Sequence, residues 1–93
     1  MTGEPIRRRV IVHGRVHDVW FRATTEEHAV LAGLAGWVRN CADGTVEAVF
    51  EGPCEAVEKL IRFCHEGPRM ARVERVETFE EIPEGLAGFR TRA

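Results

Sequence analysis

The stretch Gly14 to Arg22 (GRVHDVWFR) holds the residue types best suited to chemistry in this chain. It follows a run of β-branched residues and leads into a helical pattern. A loop between a strand and a helix N-terminus points backbone N–H groups at one place, and the helix dipole favours an anion there. Gly14 lets the backbone turn or approach closely. Arg22 adds a guanidinium fork matched to phosphate oxygens. The residues alone leave two readings open: an anion site, or an ordinary strand-to-helix loop with a surface arginine.

The elements that must position this loop are legible in outline. Arg7 to His13 (RRRVIVH) reads as a strand behind a loose leader, Met1 to Ile6. Phe21 to about Gly33 reads as a helix. Its apolar stripe is Ala29, Val30, Gly33 and Leu34, with Glu26 and Glu27 suited to a first turn. Thr24-x-x-Glu27 has capping-box form, which would start that helix slightly later. Gly36 to Asn40 is a second strand, Cys41 to Gly44 a hairpin turn with Asp-Gly for positive φ, and Thr45 to Glu51 a half-buried strand. Pro53 suits the first position of a second helix. Its apolar face runs Ala56, Val57, Leu60, Ile61, Cys64, and Gly67-Pro68 ends it with a left-handed cap. Arg72 to Glu80 is a strand with neither face cleanly apolar, and Phe89 to Thr91 a short last strand. The order β-α-β-β-α-β plus a terminal strand predicts an α+β, ferredoxin-like sandwich: an antiparallel sheet with two helices on one face.

The 93 residues fit one domain, and a chain this short buries only about 60–65% of its unfolded surface. Thirteen Lys and Arg against fifteen Asp and Glu give a net charge of −2, without the overall basicity of a nucleic-acid binder. A ferredoxin-like RNA reader would also want aromatics on its central strands, where Val10, Val12, Val46 and Ala48 stand instead. No apolar run approaches the roughly 20 residues of a membrane span, and the start of the chain lacks a signal-peptide pattern. These features predict a cytoplasmic protein. Cys54 and Cys64, on one helix, are roughly 15 Å apart, too far for a disulfide. Cys41, Cys54 and Cys64 therefore read as free thiols, with Cys54 in a helical turn where thiol pKa values fall. His13 and His17 are separated by a strand-to-loop junction, so no metal site is expected from them. Trp20 and Phe21 point in alternate directions, so one of the two is expected to pack inward and the other to face out.

The residues also resemble a known family. Val12-x-Gly14-x-Val16-x-x-Val19-x-Phe21-Arg22 is similar to the phosphate-loop signature of acylphosphatases. Gly36-Trp37-Val38-Arg39-Asn40-x-x-x-Gly44-x-Val46-x-x-x-x-x-Gly52 is similar to that family's other signature, and Gly67-Pro68 also resembles it. The resemblance implies the same sandwich fold and the hydrolysis of acyl phosphates to a carboxylate and inorganic phosphate. It implies that Arg22 binds the phosphoryl group, that Asn40 orients the attacking water, and that backbone N–H groups of Arg15, Val16, His17, Asp18 and Val19 surround the phosphate. It implies no metal, no cofactor, no phosphoenzyme, and a monomer whose partners are small acyl phosphates and phosphate, with no nucleic acid and no membrane. The loop departs from the family at His17-Asp18, where Gln-Gly is usual. A non-catalytic phosphate- or acyl-phosphate-binding module with an altered loop is the alternative function. A third idea is kinship with the acylphosphatase-like domain of hydrogenase-maturation carbamoyltransferases.

Overall fold

A computed structural model describes residues 3–93. Its elements are β1 (Ile6–Arg15), α1 (Phe21–Leu31), β2 (Ala35–Asn40), β3 (Val46–Gly52), α2 (Cys54–Glu66), β4 (Arg72–Glu81) and β5 (Phe89–Thr91). Of the expected leader, Met1 and Thr2 lie outside the described residues. Gly3 to Pro5 carry no regular structure, and Ile6 already belongs to β1.

The sheet order is β4-β1-β3-β2-β5. The first four strands pair antiparallel, as expected. β5 instead runs parallel to β2, so the five-stranded sheet is mixed. Both helices cover one face. There Val10 and Val12 of β1, Val46 and Phe50 of β3 and Val38 of β2 meet Ala29 of α1 and Val57, Leu60 and Cys64 of α2. Period-2 strands and a period-3.6 helix face thus converge on one core, each large apolar side chain contributing about 1.5–3 kcal/mol by leaving water.

Local expectations at the helix ends and on the α1 stripe are corrected. α1 begins at Phe21, the earlier of the two expected starts, and its N-cap is Trp20 in the left-handed region with no side-chain cap bond. Glu26 and Glu27 therefore stand beyond the first turn, and the capping box does not form. Within the α1 stripe, Ala29 is buried but Val30 is exposed. Pro53 is the N-cap of α2 and Cys54 its first helical residue, one position later than expected. Gly67 keeps the positive φ expected at the end of α2, but its ψ of 177° is extended.

β3 is buried on both faces rather than one. Glu47, Val49 and Glu51 point away from the helices, yet each is under a tenth exposed. The cover is made of charge. Arg7 Nη1 donates to Glu51 Oε1 at 3.2 Å, Arg9 Nη1 to Glu47 Oε2 at 3.2 Å, and Arg39 Nε to Glu47 Oε1 at 2.7 Å. The arginine stems lie along the strand while their heads pair. Glu81 of β4 closes the network, accepting from Arg7 at 2.8 Å and Arg9 at 3.0 Å. Glu51 also accepts the amides of Glu84, Gly85 and Leu86, tying down the segment that leads into β5. Burial works against its charge, but those three amides and Arg7 outweigh it and hold the carboxyl below the usual range.

Candidate active site

β1 delivers the loop through an irregularity. Its register against β4 shifts between His13 and Gly14. At Gly14, φ is +128°, and a Cβ there would collide with the carbonyl oxygen of Arg72. Only glycine lets β1 stay this close to β4 while turning toward the helix. Residues 16–20 then cross to α1. Val16 and Val19 sink into the core and pin both ends of the crossing. His17 pins the middle: its Nε2–H donates to the carbonyl oxygen of Thr45 at 2.8 Å, on the β2–β3 turn. Asp18 (φ 59°) and Trp20 (φ 67°) are the non-glycine residues with positive φ among those described. Aspartate tolerates that region, whereas for tryptophan it is an outlier, and such outliers cluster at functional sites.

This path leaves donors without partners. Among the described residues, no amide of residues 16–20 donates to another protein group. Arg22, in the first turn of α1, takes part in no ion pair among those described. Asn40 closes β2 beside the hairpin turn, and its Oδ1 is buried with no hydrogen-bond partner. A buried acceptor left unpaired costs about 1–3 kcal/mol, which is sensible where an occupant supplies the missing donor.

Arg22 and Asn40 share one cleft of about 510 Å³ with part of the loop. Val16, Asp18, Trp20, Arg22 and Asn40 all line it, with Glu26 of α1 and Thr91 of β5. Arg15, His17 and Val19 do not. Arg15 is an exposed residue ending β1, His17 turns to Thr45, and Val19 is core. Phe21 is 2% exposed and Trp20 75% exposed, the in-and-out pair expected of them. Glu26 and Thr91 were not foreseen as cleft residues. Glu26 is four residues beyond Arg22, on the same helix face, and that spacing is a signal. Thr91 arrives only through the parallel pairing of β5 with β2, for which the sequence carries no local mark.

The remaining titratable groups point elsewhere. His13 Nε2 lies 2.8 Å from Glu77 Oε1, away from His17 and its partner Thr45. Among the described residues no three His, Cys, Asp or Glu side chains gather as a metal-ion site. All three cysteines are free. Burial pushes the Cys64 thiol up to about 12. The Cys54 thiol also moves up rather than down, through desolvation and then the Glu58 charge, which outweigh its place in the first turn of α2.

Fold and cleft together define a ferredoxin-like sandwich with unpaired amides and an unpaired arginine at its first strand-to-helix turn. Comparison with known proteins makes the class specific. The acylphosphatase family model matches residues 8–91, and the chain belongs to the acylphosphatase family. An acylphosphatase of Rubrobacter xylanophilus is 58% identical over 92% of this chain and 79% of its own. One from Haloarcula marismortui is 55% identical over 92% of this chain and 94% of its own. The crystal structure of acylphosphatase from Bacillus subtilis superposes with a TM-score of 0.91 at 34% identity, covering 95% of this chain and 99% of that one. The activity is therefore that of an acylphosphatase, hydrolysis of acyl phosphates, and none of these relatives points to a non-catalytic module.

Proposed function

We propose that Arg22, Asn40 and the amides of the β1–α1 loop carry out acyl phosphate hydrolysis as follows. The phosphoryl oxygens accept hydrogen bonds from the backbone N–H groups of Arg15 to Val19 and from the Arg22 guanidinium. The charge that builds on those oxygens in the transition state meets dipoles already fixed in place. Asn40 Oδ1 accepts a hydrogen bond from the attacking water and holds it in line with the bond that breaks. The water oxygen bonds to phosphorus, the bond from phosphorus to the acyl oxygen breaks, and its electron pair leaves with the carboxylate. An amide cannot take a proton at neutral pH, so the water's proton passes to a phosphoryl oxygen. The leaving carboxylate is a weak base and needs no acid to protonate it, so the reaction asks for no metal or general acid.

The observation that carries this reading is the set of unpaired polar groups at one cleft: the Arg22 guanidinium and Asn40 Oδ1, beside Val16, Asp18 and Trp20, whose amides take no protein partner. The chain is read as a single-domain monomer that acts in the cytoplasm on small carboxyl phosphates. No helix among the described residues is long and apolar enough to cross a membrane. The test is hydrolysis of acetyl phosphate with EDTA present, for the wild type and Arg22→Ala. Full turnover in EDTA and its loss in Arg22→Ala are expected. Loss of wild-type activity in EDTA, or activity retained in Arg22→Ala, overturns the reading.

A further inference from the structure

We infer that the cleft selects acyl phosphates whose acyl arm carries no negative charge, and that Glu26, supported by Asp18, makes the selection. This rests on the reading that Arg22 holds the phosphoryl group.

The cleft, about 510 Å³, falls within the roughly 300–1,000 Å³ of sites for whole small molecules, so it has room for more than a phosphoryl group. What lines the remainder decides which arm fits. Among the described lining residues Arg22 is the only cation, and Asp18 and Glu26 are both carboxylates. Arg22 and Glu26 stand four apart on α1, a spacing that commonly forms an ion pair. Here they do not pair. Glu26 Oε1 instead accepts a hydrogen bond from Thr91 Oγ1 at 2.8 Å, which holds its carboxylate on the cleft wall. Asp18 is exposed and also takes part in no ion pair among those described.

Once a phosphoryl group occupies Arg22, the cation is spent. The arm then meets two carboxylates and the exposed Trp20 ring. A neutral arm rests against the ring without penalty. An arm ending in a carboxylate or phosphate meets like charge with no cation to offset it. Asp18 stands where the acylphosphatase motif carries glycine, so this part of the wall departs from the motif.

Butyryl phosphate and succinyl phosphate provide matched probes, since their arms have equal length and differ in a terminal carboxylate. The readout is the ratio of kcat/KM for succinyl to butyryl phosphate. The ratio is expected well below one in the wild type. In Glu26→Gln, which keeps the Thr91 hydrogen bond, it should rise about threefold to tenfold, the effect of one like-charge contact near a protein surface. Glu26→Lys should raise it further, and both gains should shrink as salt rises to about 0.5 M. A purely structural role for Glu26 would lower both substrates together and leave the ratio flat. A wild-type ratio near one, or a flat ratio in both variants, overturns the inference. Arg22→Ala run beside them keeps the two readings apart: activity retained there overturns the phosphoryl site itself, whatever the ratios.

Discussion

The two ends of the arginine distribution behave in opposite ways. On the open face of the sheet, Arg7, Arg9 and Arg39 are each bound to carboxylates, and Arg7 alone reaches Glu51, Glu81 and Glu84. At the β1–α1 loop, Arg22, the amides of residues 16–20 and Asn40 Oδ1 take no protein partner among the described residues. The same side-chain chemistry ties the fold together where it is saturated and, in the proposed function, serves a ligand where it is not. Arginine count therefore says little; the number of partners left over says more.

The largest expected break in this comparison is Arg22→Ala. Removing the only cation among the described cleft residues should cost about 10³-fold or more in kcat/KM, about 4 kcal/mol of transition-state stabilisation. Chemical denaturation should show stability within about 0.5 kcal/mol of wild type, because the side chain is exposed and unpaired. The mirror experiment is Glu51→Ala. It removes one of three carboxylate partners of buried Arg7 and leaves three amides without their acceptor, so unfolding free energy should fall by about 2–4 kcal/mol while kcat at low temperature stays near wild type. Urea unfolding and acetyl phosphate turnover on one sample test both halves.

Asn40→Ala should lower kcat about 10²-fold with little change in phosphate binding by calorimetry, since on the proposed mechanism it deletes the water's acceptor and leaves the cradle intact. Phosphate binding lost along with turnover would move Asn40 into the cradle. Acid titration separates the regions without mutation. Glu51 and Glu81 have carboxyl pKa values depressed in the folded state, Glu81 chiefly by its hydrogen bond from Arg7. Their stabilisation is present above the unfolded glutamate value, about 4.3, and is lost as pH falls through the folded values. The melting temperature should therefore drop in that acid range, and Glu51→Gln should flatten the drop. The smallest effect belongs to Asp18→Gly. Relief of the left-handed backbone should add about 1 kcal/mol of stability, and loss of the carboxylate should tighten phosphate inhibition a few-fold. Asp18→Asn, which removes charge but not strain, should reproduce only the second change.

Much of this was legible in the sequence, for physical reasons. Strand periodicity, the apolar face of α2 and the Asp43-Gly44 turn are local signals, and each element stands within a residue or two of its expected bounds. The loop motif located the β1–α1 crossing because a strand followed by glycine and a helix start is also local. What escaped was non-local or strained. Burial of both faces of β3 depends on Arg7 meeting Glu81 across 74 positions of sequence. α1 starts at a left-handed tryptophan, which no capping rule favours, so Thr24 and Glu27 misled. Glu26 entered the cleft because Thr91, not Arg22, is its partner.

The Thr91–Glu26 bond joins residues 65 positions apart, and β5 reaches β2 through a segment moored to Glu51. During synthesis, the loop, Arg22 and Asn40 all emerge well before this strand. The proposed cradle waits for β4, whose backbone at Arg72 lies against Gly14, and the proposed wall waits longer still, for β5. Long-range closures of this kind are the slow ones. On the proposed roles, the wall beside the acyl arm is therefore the last part of the site to close.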